Sequence, residues 1–310
     1  MEFNHISVLL KETIDGVNPK PNGVYVDCTL GGAGHARELL SRNKSLKLIG
    51  VDQDSEAIAV SRERLKDFGT RATLVQDNFK NAGAILDELG IEKVSGIYAD
   101  LGVSSHQIDT AERGFSFRFD AKLDMRMNKE QSLSAKEVVN EYSEQKLKEV
   151  IKDFGEERFA SSIAKKICNE RKKKTIETTK ELEKIILSAV PRYKGNDGSS
   201  NVQRTFQAIR IEVNHELDGL ADFIREMTDR LEPNGRLAVI TFHSLEDRIV
   251  KHTFKELATG CTCPSDFPIC VCGNKPKVKI ITNHPIVASE EELQLNRRSS
   301  SAKLRIIEKI

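Results

Sequence analysis

Four groups of residues in the first hundred positions are of types that can hold a small polar ligand. Gly31-Gly32-Ala33-Gly34 is a turn in which glycine accepts positive φ and lets the backbone approach a ligand closely. Asp52 follows Gly34 by eighteen residues and can accept hydrogen bonds from ribose hydroxyls. Asp77-Asn78-Phe79 offers polar contacts and an aromatic face for an adenine, and Asp100 with Leu101-Gly102 supplies another acceptor. Singly, a glycine-rich turn is usually only a turn, and an Asp after a strand is often a helix cap. What unites them is position: each directly follows a short apolar run.

Those runs are 24–29 (VYVDCT), 46–52 (LKLIGVD), 72–76 and 94–100 (VSGIYAD). Helical patterns at about 35–43, 55–68 and 82–89 lie between them. Strands that alternate with helices and are apolar on both faces predict a parallel sheet covered on both sides. In such a sheet, ligands bind beyond the carboxyl ends of the strands, where all four groups fall. From 111 to 200 the pattern is helical, with apolar residues three and four apart in 133–141, 144–154, 157–173 and 178–189, and a loop at 195–200 (GNDGSS). A long helix, about 201–230, then leads through the turn 231–235 to a strong strand, 236–242 (RLAVITF). A helix near 245–257 and two strands, 278–282 and 303–307, close the chain. The expected architecture is α/β, a Rossmann-like sheet with an inserted helical domain: 1–110 first core part, 111–203 insert, 204–310 second core part.

The ligand is narrowed by what is missing. A G-x-G-x-x-G fingerprint from Gly32 would need glycine at 37, where Arg37 stands, and no G-x-x-x-x-G-K-[ST] occurs. A ligand without pyrophosphate fits better, and S-adenosylmethionine, with adenine, ribose and an amino acid, is such a ligand. The two closing strands also suit a class I methyltransferase sheet, whose final pair adds an antiparallel strand. With 48 Lys+Arg against 47 Asp+Glu, overall charge gives no polyanion signal, so any nucleic-acid face must be local. No apolar run approaches the roughly 18 residues of a membrane span, and the start lacks a signal-peptide pattern, so a cytoplasmic protein is expected.

The chain resembles the RsmH/MraW family of bacterial methyltransferases nearly end to end. The resemblance is carried by 5–10 (HISVLL), 26–35 (VDCTLGGAGH), 51–54, 100–105 (DLGVSS) with Gln107, 111–117 (AERGFSF) and 123–127 (LDMRM). It continues through 155–159 (GEERF), 204–214 (RTFQAIRIEVN), 242–248 (FHSLEDR) and 301–305 (SAKLR). It implies methylation of N4 of a cytosine in the decoding region of 16S ribosomal RNA, within the small ribosomal subunit, and an insert that recognises RNA. It also implies S-adenosylmethionine contacts at Ala33, Gly34, His35, Asp52, Phe79, Asp100 and Gln107. No protein partner is inferable. The chain departs from the family at Ser200-Asn201-Val202-Gln203, usually His-Pro-Ala-Thr, at 296–301 (NRRSSS), usually Asn-Pro-Arg-Ser-Arg-Ser, and at Lys122, commonly Pro. These departures bear on how RNA is gripped. Rival readings are a cofactor-retaining assembly factor without turnover, and an amine methyltransferase acting on DNA or protein.

An exocyclic cytosine amine is a poor nucleophile, because its lone pair is delocalised into the ring. An acceptor that draws it towards tetrahedral geometry and stabilises the arriving positive charge would help. Base-amine methyltransferases commonly place an acid or amide, then Pro-Pro-aromatic, after the fourth strand. Here that place holds Asp100-Leu101-Gly102-Val103, so the acid is present and the stacking aromatic is not. Asp100 is the catalytic candidate, with a purely cofactor-positioning role equally open.

Four other features have blander readings. His243, with Ser244 and Asp247 behind it, lacks the G-x-S-x-G elbow of a hydrolase. A cap by Ser244 with Asp247 at N3 is expected, alongside a substrate-side role for His243. Phe115, Phe117 and Phe119 alternate and would share one face of an extended segment, as core rather than as a base-stacking platform. The stretch 165–194, with ten Lys/Arg and four Asp/Glu, contains Arg171–Lys174 (RKKK), for which phosphate contact is favoured over a solvated face. Cys261, Cys263, Cys270 and Cys272 form C-x-C…C-x-C. That is tighter than the usual zinc spacing, and methyl transfer needs no metal, so a loop without a metal is expected.

Overall fold

The computed structural model describes residues 7–191, 197–263, 269 and 271–310. The chain forms two compact units, Met1–Gly102 with Gly219–Ile310, and Val103–Asp218.

The first unit is built on seven strands: β1 (Val24–Asp27), β2 (Lys47–Asp52), β3 (Ala72–Gln76), β4 (Val94–Asp100), β5 (Leu231–Thr241), β6 (Val278–Ile280) and β7 (Lys303–Lys309). Their order is β3-β2-β1-β4-β5-β7-β6. β1 to β5 pair in parallel, and β7 runs antiparallel between β5 and β6. This is the doubly wound methyltransferase sheet expected from the sequence. The strand order reverses between β1 and β4, which places the ligand-binding crevice beyond their carboxyl ends.

Among the described residues seven α-helices belong to this unit: α1 (Leu10–Gly16), α2 (Gly34–Arg42), α3 (Ser55–Arg64), α4 (Ala82–Glu88), and, after the second unit's six, α11 (Leu220–Asp229), α12 (Ser244–Ala258) and α13 (Glu290–Leu295). Both faces of the sheet are buried, and successive strand residues alternate between two cores. Val26, Ile97, Leu237 and Val239 pack with Phe223, Met227 and Phe254 from α11 and α12. Tyr25, Tyr98, Ala238 and Ile240 pack with Ile14, Leu39 and Ile58 from α1, α2 and α3. That is why the strands read as continuous apolar runs.

The second unit holds α5 (Ser105–Asp109), α6 (Ala135–Glu141), α7 (Glu144–Asp153), α8 (Ala160–Arg171), α9 (Thr179–Ala189) and α10 (Ser199–Asn214). Its core joins Val139, Leu147, Ile163, Ile167, Leu182 and Ile186 with Phe206 and Ile209 of α10. Phe115 and Phe117 join that core, Phe117 meeting Phe206 edge-on at 5.4 Å, whereas Phe119 is 41% exposed. The three therefore do not share one buried face.

The single helix expected over 201–230 is two helices. α10 ends where His215 turns left-handed at φ 51°, and α11 starts after Gly219 at φ 69°. The break coincides with the unit boundary at 218/219, so α10 packs in the helical unit rather than in the second part of the sheet unit. The unit limits, 103 and 218, accordingly differ from the expected 111 and 203. β5 also starts earlier than expected, because Leu231 pairs with Val94 across a ladder irregularity and the Leu231–Gly235 segment stays within the strand.

Candidate active site

The carboxyl ends of β1, β2 and β4 converge through hydrogen bonds that the sequence did not display. After β1 the chain bends at Gly31, with φ 48°, and the Gly31 N–H donates to Asp52 Oδ2 at 2.7 Å. Asp52 Oδ1 accepts from the Asp54 N–H at 2.9 Å. The carboxylate ending β2 is therefore aimed by two backbone donors. Helix α3 fixes the turn from its other side, as Ser61 donates to the Gly31 carbonyl at 2.8 Å and Arg64 to the Gly32 carbonyl at 2.7 Å. Ala33, left-handed at φ 60°, is the N-cap of α2. A Cβ at Gly34 would lie 1.9 Å from Ser7 Oγ, so any larger residue at that first helical position would push the Ser7 side chain aside. His35 is buried, and its Nε2 lies 3.0 Å from the Val8 carbonyl. Its side chain therefore anchors the N-terminal segment.

Beyond β3, the Asp77 N–H donates to the Asp52 carbonyl at 3.0 Å. Asp77 Oδ1 accepts from the Asn78 N–H at 2.6 Å and from Asn81 at 2.7 Å. Phe79 packs edge-on against Phe223 at 4.9 Å and is half-buried, which leaves part of its ring as an apolar wall.

At the end of β4 the Asp100 N–H donates to Thr29 Oγ1 at 2.5 Å. Asp100 Oδ1 is buried and has no hydrogen-bond partner among the described residues. Burial pushes the Asp100 carboxyl well above the ordinary range, and the neighbouring charges of Asp27 and Glu246 add to the effect. Asp27 is itself pushed up to about 7, mainly by burial, against a hydrogen bond from the Thr29 N–H. Glu246 reaches this cluster from α12. Its Oε2 accepts from the Phe242 N–H at 2.8 Å, and Oε1 lies 3.1 Å from His243 Nε2, out of hydrogen-bond alignment. Gly102, at φ 91°, passes close by, and a Cβ there would come 3.9 Å from that Oε1.

The expected cap of α12 is displaced by one residue. His243 is the N-cap and Glu246 occupies N3, in a capping box. Asp247 instead receives Arg305 at 2.6 Å and Lys303 at 3.3 Å, which ties α12 to β7. Gln107 lies in the helical unit, where it completes the capping box of α5 with Ser104. Asp27, Thr29, Ser61, Arg64 and Glu246 were not singled out from sequence. For Asp27 a signal existed, since an acid inside an apolar strand costs stability unless it has a purpose.

A profile of the MraW methylase family matches residues 2–310. The chain belongs to that family. It is 56% identical over 311 residues to the ribosomal RNA small subunit methyltransferase H of Lachnospira eligens, covering 100% of this chain and 99% of that one. The proteins of the same name from Clostridium botulinum strain Kyoto and Clostridioides difficile strain 630 are 56% and 51% identical, each with full coverage of both chains. The protein is thus an S-adenosylmethionine-dependent methyltransferase. The site suits that cofactor: it offers a glycine turn against which a ligand can lie, an aimed carboxylate for hydroxyl groups, an aromatic wall, and a buried carboxyl oxygen without a partner. A cationic ligand would also offset the repulsion among Asp27, Asp100 and Glu246.

Proposed function

We propose that this enzyme methylates N4 of a cytosine in the decoding region of 16S ribosomal RNA, within the small ribosomal subunit and in the cytoplasm. The substrate class is supported by the names of relatives that match along their whole length. Among the described residues no helix is long and apolar enough to cross a membrane. The observation that carries the chemical reading is the partnerless, buried Oδ1 of Asp100 at the switch in strand order.

S-adenosylmethionine, when bound, supplies an electrophilic methyl group. Asp52, held by the N–H groups of Gly31 and Asp54, accepts the ribose hydroxyls. Phe79 flanks the adenine, and Ala33, Gly34 and His35 contribute backbone around the amino-acid moiety. The helical unit recognises the RNA. Asp100 accepts a hydrogen bond from the cytosine amine, drawing the nitrogen out of conjugation and stabilising the charge it acquires. The surplus amine proton then passes to Asp100 or to water. The raised proton affinity of Asp100 suits that transfer, because a carboxyl that readily takes a proton is the better terminal acceptor.

Incubation of the protein with small ribosomal subunits and methyl-labelled cofactor, followed by mapping of the modified nucleotide, tests this reading. Label on a decoding-region cytosine is the expected result. Binding without label transfer, or label on DNA or protein instead, would overturn it.

A further inference from the structure

The segment joining α12 to β6 is fastened at its base. Lys277 N–H donates to the Leu257 carbonyl at 2.8 Å. The Asn274 amide reaches the carbonyls of Thr259 and Gly260 at 3.3 and 2.9 Å. Beyond those bonds, Ile269 and Val271 are each 74% exposed, so these two apolar side chains do not anchor the described part of the loop.

Three sulfurs meet there instead. The Sγ atoms of Cys261, Cys263 and Cys272 lie within 4.8 Å of one another. Cys261 Sγ and Cys272 Sγ are 3.7 Å apart. Four thiolates at about 2.3 Å from a tetrahedral zinc stand about 3.8 Å from each other, so this separation matches the edge of such a site. It is far longer than the roughly 2.05 Å of a disulfide. The backbone supports the sulfurs reciprocally. The N–H groups of Val271 and Cys272 point at Cys263 Sγ, both at 3.3 Å, and the Thr262 N–H points at Cys272 Sγ at 3.4 Å. Amide donors aimed at sulfur stabilise its negative charge, as the outer partners of metal-bound thiolates do.

We propose that Cys261, Cys263 and Cys272 bind a zinc ion as thiolates, forming a structural site that sets the conformation of the loop and takes no part in methyl transfer. C-x-C spacing alone argued against a metal. The approach of Cys272 to Cys261 and Cys263 reverses that expectation, because a third sulfur from a distant point of the loop joins the pair that one C-x-C segment supplies. Cys270 lies outside the described residues, and the assignment rests on the other three. Soft thiolates in tetrahedral array select zinc or iron over calcium or magnesium, and zinc needs no redox partner.

The test uses the full-length protein, reconstituted with zinc under reducing conditions and desalted. Elemental analysis should find about one zinc per chain, and Cys261→Ser, Cys263→Ser and Cys272→Ser should each reduce it to about a tenth or less. Cobalt(II) loading of the wild type should give the sulfur-to-metal charge-transfer band of a thiolate site, weakened in each variant. Should a variant fail to fold, chelation of the wild type replaces it, and proteolytic cleavage within 259–277 should then accelerate about tenfold. Less than about a tenth of a zinc per wild-type chain would overturn the proposal. So would zinc undiminished in the variants, iron in place of zinc, a wild-type mass lighter by two hydrogens, or cleavage unchanged by chelation.

Discussion

The two units differ in one cluster of buried charge. In the helical unit the buried charged side chains are bonded to partners, as Asp247 with Arg305 is in the sheet unit. Arg113, within 111–117, donates to the carbonyls of Arg126 and Met127 at 2.9 and 3.0 Å. Glu157, within 155–159, accepts from Asn201 and Arg204 at 3.0 and 2.8 Å. Asn214 bridges to Met125 and Met127, and Gly114 turns at φ 69° where a Cβ would meet the Lys122 carbonyl at 2.2 Å. The motifs of that unit, whatever else they do, hold its own frame together. In the sheet unit, by contrast, Asp27, Asp100 and Glu246 are crowded in a buried cluster, and Asp100 keeps an oxygen without a partner. A buried unpaired acceptor costs about 1–3 kcal/mol. Where it persists at a strand end in a ligand crevice, a functional role is the economical explanation. The lesson is that equally specific motifs can carry framework in one region and chemistry in another, and a buried carboxyl oxygen without a partner beside other acids marks the second.

The largest expected effect attacks the sheet unit. Asp100→Asn, measured by single-turnover methylation at saturating cofactor and RNA, should slow transfer about 10²-fold or more with near-normal binding. Weakened cofactor binding with a normal saturated rate would leave Asp100 only a positioning role. Next, Asp52→Ala removes an acceptor of charge-assisted bonds, so calorimetry should show S-adenosylmethionine affinity reduced about tenfold or more. Wild-type affinity in that variant would remove Asp52 from the site.

In the helical unit the corresponding substitution should damage stability instead. Arg171 was expected to meet phosphate, but it donates to the carbonyls of Val139 and Tyr142 at 2.7 and 2.6 Å, closing the end of α6. Arg171→Ala should cost about 1.5–3 kcal/mol in denaturant unfolding. A loss of RNA affinity with stability intact would restore the phosphate reading.

The pH dependence of stability sharpens the contrast further. Asp27 has an ordinary value of 3.8 and is raised to about 7, and Asp100 is raised as well. Between about pH 4 and 7 the folded state therefore binds more protons than the unfolded chain, and stability falls as pH rises. The thermal midpoint should decline from pH 5 to 8, and Asp27→Asn should flatten that decline. An unchanged slope in the variant would mean that the cluster is not the source.

The smallest effect concerns the remaining lysines of the basic run. Lys173 and Lys174 pair with Glu170 and Glu181 at the surface, the former at 3.0 Å and the latter at 2.5 Å. Replacing Lys172, Lys173 and Lys174 by Ala should alter stability by no more than about 0.5 kcal/mol. If they meet phosphate, the salt dependence of RNA binding should become shallower by roughly 0.7 per lost contact. An unchanged slope would assign them to a solvated face.

By itself the sequence determined the order of strands and helices, the double-sided burial of the sheet and the strand-end positions of Asp52, Phe79 and Asp100. Those properties follow from local patterning, because apolar periodicity and turn residues are set by neighbours along the chain. It did not show the break at His215, where one residue in a left-handed conformation converts a continuous periodicity into two helices belonging to different units. Nor did it show that Arg171 serves two carbonyls, that His243 and Glu246 rather than Ser244 and Asp247 form the capping box of α12, or that Ser61 and Arg64 hold the glycine turn. These depend on partners tens of residues away or on a cap shifted by one position, and composition carries no record of either. The same holds for the buried acids. Asp27 and Asp100 are separated by seventy-three positions in the sequence, and only the parallel pairing of β1 with β4 brings them close enough for Asp100 to feel the charge of Asp27.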